Sequence, residues 1–144
     1  MRIRPFTCLF LLALLPAAAS AQDSPIGRWK TIDDETGKAK SIVEITQASN
    51  GTLQGKVVEI LQSEHGPNPR CEKCEGTNKD KPVRGMTILW GLKKDGKIWS
   101  GGRVLDPNNG KTYKSKIELL ESGQKLGMSG CIAFICRQQV WLRQ

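Results

Sequence analysis

Lys111-Thr112-Tyr113-Lys114-Ser115-Lys116-Ile117-Glu118-Leu119 alternates between the two faces of an extended chain. Tyr113, Ser115, Ile117 and Leu119 fall on one side, and Thr112, Lys114, Lys116 and Glu118 on the other. A period of two with one wet face and one core face marks an antiparallel strand. The same phase recurs elsewhere: Val43 and Ile45 oppose Glu44 and Thr46, and Leu126, Met128 and Gly130 oppose Lys125 and Ser129. Between such runs lie turn clusters, among them Ser49-Asn50-Gly51, Lys94-Asp95-Gly96, Asp106-Pro107-Asn108-Asn109-Gly110 and Glu121-Ser122-Gly123. Each places Gly or Asn where a hairpin needs positive φ. The spacing predicts strands over roughly 26–32, 40–47, 52–61, 84–92, 97–105, 111–119, 124–131 and 137–143. The third breaks phase at Val57-Val58, and a bulge there would return its apolar residues to one face.

A meander of half-wet strands leaves two unpaired edges unless its ends meet. The expected fold is therefore all-β, a single antiparallel up-and-down β-barrel of about eight strands. A barrel of that size is filled by side chains or holds one small ligand. The glycines at 85, 91, 101, 102, 127 and 130 fit either reading, as sites of strong coiling or as interior room.

The chain opens on Met1-Arg2-Ile3-Arg4, continues through an apolar run from Phe6 to Leu15 closed by Pro16, and reaches Ala19-Ser20-Ala21 before Gln22. That is the layout of a secretory signal peptide over residues 1–21, cut at Ala21/Gln22. The run is about half the length of a membrane-spanning helix. Cys8 lies inside it, which argues against a lipid anchor. The expectation is a periplasmic or secreted protein with one domain over 22–144. With Arg2 and Arg4 gone, 20 basic residues face 14 acidic ones, a net charge of +6. The lysines are scattered through turns and strand faces, so a solvated basic surface is the first reading, with weak contact to an anionic membrane surface as the other. Nucleic acid is not expected, because no aromatic-basic interleaving of the RNA-binding kind is present. Oligomeric state is not legible.

Gly27-Arg28-Trp29, the stretch from Gly101-Gly102-Arg103 through Asp106-Pro107-Asn108-Asn109-Gly110-Lys111-Thr112-Tyr113, and Gln139-Val140-Trp141-Leu142-Arg143 read together with Cys71-Glu72-Lys73-Cys74 and Lys81-Pro82-Val83-Arg84-Gly85-Met86. In these the chain resembles the bacterial exported family catalogued as domain of unknown function 2147, over essentially all of the mature chain. The resemblance implies a small lipocalin/calycin-like barrel and brings no reaction, cofactor or catalytic residue. Gly-x-Trp and an arginine on the last strand also resemble the lipocalin pattern in which that arginine covers the tryptophan. Here Trp29 and Arg143 would close the barrel, with Trp141 sealing the same end.

Cys71, Cys74, Cys131 and Cys136 remain after processing, and an even count in an exported chain reads as disulfides. Three pairings are open to four thiols. Low loop-closure cost and the family resemblance favour Cys71–Cys74 with Cys131–Cys136, and the resemblance covers the first pair better. Cys71-Glu72-Lys73-Cys74 also has the spacing of a thiol redox pair, but it lies in a polar loop behind Pro67 and Pro69 rather than at a helix N-terminus. Zinc on the four sulfurs would need a second pair at closer spacing. His65 is the only histidine, which excludes a multi-histidine metal site within one chain. Asp106-Pro107-Asn108-Asn109-Gly110 groups oxygen ligands but lacks the acidic residue that would complete a calcium loop. No metal and no cofactor is expected, and the residues point away from an enzyme.

Trp90, Trp99, Arg103 and Tyr113 are the candidate ligand-binding residues, with Met128 beside them. Aromatic side chains with one convergent charge suit a small apolar or amphiphilic ligand held in the barrel. Ordinary core packing is the competing account of the same residues. Three functions follow in order: a binding barrel, a filled barrel acting structurally or by interaction in the cell envelope, and a thiol redox protein using Cys71 and Cys74.

Overall fold

The computed structural model describes residues 23–144, and the expected signal peptide with its cleavage site lies outside them. Eight strands run in order: β1 (Gly27–Ile32), β2 (Ala39–Gln47), β3 (Leu53–Ile60), β4 (Thr87–Asp95), β5 (Ile98–Asp106), β6 (Lys111–Leu120), β7 (Lys125–Ile132) and β8 (Ile135–Arg143). Each pairs antiparallel with its neighbour in sequence, and β1 pairs with β8, so the sheet closes into an up-and-down barrel. Closure leaves no free edge. The β1–β2, β3–β4, β5–β6 and β7–β8 connections must then share one end, here called the mouth. The first residues of β1 and the last of β8 meet at the other.

Most strand boundaries fall within one residue of expectation; both ends of β4 and the start of β8 do not. β4 starts at Thr87 because Val83–Met86 is a turn, with the Met86 amide donating to the Val83 carbonyl at 3.1 Å. β8 starts at Ile135 because Cys131 pairs with Cys136 and Ile132 with Ile135, leaving only Ala133 and Phe134 for the turn. The bulge expected in β3 is present: Ile42 faces Glu59 while Val43 faces Val57, which leaves Val58 unopposed.

Side chains fill the interior. Trp29, Val43, Ile45, Val57, Leu89, Leu92, Ile117, Leu126 and Trp141 are fully buried. Ser115 and Ile117 of the alternating β6 face point into this core, with Tyr113 and Leu119 packed at its margin. Gly102 decides between coiling and interior room at its position. A Cβ built there would lie 2.6 Å from the Leu92 side chain, so leucine already occupies the space that the glycine leaves.

The β1–β8 seam is short, with only Trp29↔Arg143 and Lys30↔Leu142 in register. Side chains reinforce it at both ends. At the terminal end the Arg143 guanidinium stacks over the Trp29 ring, 4.2 Å from its centroid. The same group donates to the carbonyls of Gly123 at 2.6 Å, Ser24 at 2.8 Å and Ile26 at 3.3 Å. Trp29 in turn donates its indole N–H to Pro25 O at 2.8 Å. One arginine thus ties the last strand to the segment before β1 and to the β6–β7 turn. Trp141 is buried on the same face of β8, its indole N–H on Gln139 Oε1. At the mouth, Arg137 of β8 forks onto Asp34 of the β1–β2 turn at 2.5 and 2.8 Å, with Glu35 at 3.0 Å and Gln139 adding a bond to Asp34.

Arg143→Ala removes the cation–π contact and three charge-assisted hydrogen bonds, and should lower stability by about 2 to 4 kcal/mol. Lysine should restore only part of this, because it lacks the planar face and the fork. Chemical denaturation of both variants checks the order, and an alanine variant as stable as the parent would remove Arg143 from the closure. A second expectation concerns pH. The hydrogen bonds from Arg137 hold the Asp34 carboxyl below its ordinary pKa. A lowered folded pKa contributes stability above the unfolded value, and that contribution is lost as pH falls through the folded one. Both partners face solvent, so Asp34→Asn should cost at most about 1 kcal/mol at neutral pH. The cost should vanish in acid, and denaturation curves at neutral and acid pH that differ by the same amount would contradict an electrostatic clamp.

Candidate functional site: the groove at the barrel mouth

The connection from β3 to β4 is the longest in the molecule and carries the first disulfide, Cys71–Cys74. Its two limbs are held together by an isolated bridge between Arg70 and Pro82 and by the Cys71 amide on the Lys81 carbonyl at 2.9 Å. Both cysteines are buried and join the main hydrophobic core. The Cys71 sulfur packs 3.4 Å from the Pro107 carbonyl, which seats the loop on the β5–β6 turn. Gly110 makes this approach possible: its φ is +71°, and a Cβ there would overlap the Lys73 carbonyl. Only glycine meets both demands.

Two open grooves of about 490 Å³ each lie where this loop meets the barrel. One runs past Lys81, Arg84, Met86 and Thr87, the other past Leu105, Lys111, Tyr113 and Ile132. Asn78 and Trp90 line both, so Trp90 stands at their junction. Trp90 is 36% exposed, whereas Trp29, Trp99 and Trp141 are buried. Arg84 donates to the Val58 carbonyl at 3.2 Å and is otherwise open to solvent. An aromatic plate with Lys81 and Arg84 on one side, and Leu105, Tyr113 and Ile132 beside Glu75 and Lys111 on the other, can hold an amphiphile whose negative head lies toward Lys81 and Arg84.

The four candidate ligand residues do not converge. Trp99 points inward near the β4–β5 hairpin, with Lys94 Nζ 5.0 Å from its ring centre. The expected shared parity of Trp99 and Arg103 fails, because the β5–β6 register shifts between Trp99 and Gly102. The extra residue turns Arg103 to the outer face, where it is exposed beside its cross-strand partner Trp90. Tyr113 pairs with Val104 on the inward side, and its hydroxyl accepts from the Asn109 amide at 3.0 Å. Trp99 pairs with Ile117, four residues along β6 from Tyr113, which separates them by roughly 13 Å. Only Trp90 and Tyr113 line a common groove. Sequence reasoning missed Asn78, Lys81, Arg84, Leu105 and Lys111, whose meeting depends on how the long loop folds back. The basic Lys81–Arg84 run was the available signal.

The remaining candidates take structural places. Cys131 and Cys136 are joined across the base of the β7–β8 hairpin. Cys71 and Cys74 are bonded to each other in the long loop, with Cys71 fully buried and Cys74 on the wall of the second groove. His65 is exposed in the long loop. Asp106 Oδ1 accepts from the Asn108 amide and Asn109 Oδ1 from the Lys111 amide, so these oxygens serve the turn. Among the described residues, no group of three or more His, Cys, Asp or Glu side chains is placed to hold a metal.

No curated protein matches the chain. A solved structure described as "Protein HP1028 from the human pathogen Helicobacter pylori belongs to the lipocalin family" is similar in fold, with a TM-score of 0.69 over 83% of this chain and 82% of that one. At 18% identity the likeness is one of fold alone. A family model described as "Uncharacterized protein conserved in bacteria (DUF2147)" matches residues 27–143, from the first residue of β1 to the last of β8. The chain belongs to that family, and its fold is a lipocalin-like eight-stranded barrel.

Proposed function

We propose that this protein is an exported binding barrel that holds a small amphiphile with an anionic head at its mouth. The packed interior moves the proposed site from inside the barrel to the grooves around Trp90. The observation that carries the reading is the position of that indole, exposed at the junction of a groove lined by Lys81 and Arg84 and one lined by Leu105 and Tyr113. The apolar part of a ligand would lie along Leu105, Tyr113 and the Trp90 face. Lys81 and Arg84 would meet its head, with the guanidinium of Arg84 suited to a carboxylate or phosphate. The basic and apolar opening of the chain supports export, as do two disulfides, which persist in an oxidising compartment.

Titration calorimetry with dodecanoate, and with dodecyltrimethylammonium as its cationic counterpart, tests the reading below micelle-forming concentrations. Saturable one-to-one binding of dodecanoate alone is expected. Trp90→Ala should weaken it by about tenfold or more, the loss of one well-packed aromatic contact. Equal binding of the two detergents, no binding of dodecanoate, or a Trp90→Ala variant that binds like the parent would each refute the site.

A further inference from the structure

The tip of the β7–β8 hairpin is Ile132-Ala133-Phe134-Ile135, and it is apolar and exposed. Phe134 is 92% accessible, Ile135 72% and Ile132 68%. Such side chains on one short turn form a patch that calls for an occupant. The tip is also rigidly presented. Cys131 and Cys136 are in register across its base and joined by a disulfide, so little conformational entropy is left to lose when it is buried.

A second, independent feature lies at that base. The strand registers set Trp90, Arg103, Lys114 and the Cys131–Cys136 pair in one row across the outer face of β4 to β8. Arg103 and Lys114 stand directly opposite one another, an arrangement that like charges disfavour. Among the described residues neither makes an ion pair, and Lys116 follows two residues on along the same face of β6. Phe134 is two residues beyond Cys136, which places the apolar tip roughly 7 Å past the basic row. That offset matches the polar interface on each side of a bilayer's hydrocarbon core, roughly 5 to 8 Å thick.

We propose that the stapled hairpin docks the barrel mouth onto an anionic bilayer, with Phe134, Ile132 and Ile135 entering the apolar boundary while Arg103 and Lys114 engage lipid phosphates. Trp90, at the end of the same row, would sit at headgroup level, where amphipathic indoles are favoured. The charge of the row selects the occupant: an apolar protein groove would satisfy the tip but leave two opposed cations without counter-charge. The proposal stands without a ligand in the mouth groove: Ile132 and Trp90 also line the grooves, but Phe134, Arg103 and Lys114, which carry it, do not.

A chain beginning at Gln22, which contains every strand of the closed barrel, is sedimented with phosphatidylcholine vesicles and with vesicles that also contain phosphatidylglycerol. Binding to the phosphatidylglycerol vesicles, released by salt, is expected. Phe134→Asp should reduce it by about tenfold or more, and the double variant Arg103→Glu with Lys114→Glu by a similar factor. Phe134 touches solvent on nearly all sides, so an unchanged near-ultraviolet dichroism spectrum should accompany its loss of binding. Equal binding to both vesicle types, no binding to either, or a Phe134→Asp variant that binds like the parent would overturn the proposal. So would a parent dimer in sedimentation velocity that Phe134→Asp converts to monomer, because the tip would then be an interface between copies.

Discussion

The guanidinium of Arg143 lies flat on the indole of Trp29 and reaches the carbonyls of three other residues, and the closed barrel depends on that junction. Seven of the eight strand ladders join neighbours in sequence and form around short turns or, once, a stapled loop. The eighth joins the first strand to the last and has two residue pairs in register. Bringing such distant segments together costs chain entropy that two pairs do little to offset. Arg143 adds contacts to β1, to the residues before it and to the β6–β7 turn in one step, and Arg137 with Asp34 does the same at the mouth. Burial lowers the Arg143 pKa, although an arginine starts so high that its charge is kept. The cation therefore gives up part of its hydration to serve the seam.

Closure fixes what the interior can be. With three tryptophans and a set of branched side chains facing inward, an eight-stranded barrel is filled. Gly102 shows how closely: the missing side chain is replaced by Leu92. The space that remains for a ligand is made outside this core, by the long β3–β4 loop folding onto the β5–β6 turn. Its disulfide is buried as part of the wall and packs against the Pro107 carbonyl. The hairpin tip, the basic row and the grooves all lie toward the mouth, opposite the end where Arg143 covers Trp29.

Much of this was legible from residue periodicity, because a filled closed barrel repeats one simple demand. The alternation of Thr112 through Leu119 is that demand written out, and the phase break at Val57-Val58 marks a bulge that the registers contain. Gly27-Arg28-Trp29 and Arg143 could be connected through their resemblance to the lipocalin pattern, and the stacked guanidinium shows its physical reason. Arg103 was misplaced for the converse reason. Parity counting assumes an unbroken pleat, and the extra residue between Trp99 and Gly102 moved every later side chain of β5 to the other face. The groove was illegible because its walls come from a loop without periodicity. Lys81 and Arg84 acquire a shared neighbour in Trp90 only after that loop has folded back. The apolar tip is illegible in the sequence because Ile132, Phe134 and Ile135 look like core residues until the tight turn at Ala133 and Phe134 puts them beyond the rim.

The central claim is that binding takes place on the mouth groove and leaves the filled barrel closed. The four indole N–H resonances report on it directly, since Trp90 lines the groove while Trp29, Trp99 and Trp141 are packed inside. In a ¹⁵N-edited NMR titration with dodecanoate, the Trp90 resonance should shift and saturate while the other three hold their positions. A titration in which Trp99, Trp29 or Trp141 moves and Trp90 stays fixed would place the ligand inside the barrel and contradict this account.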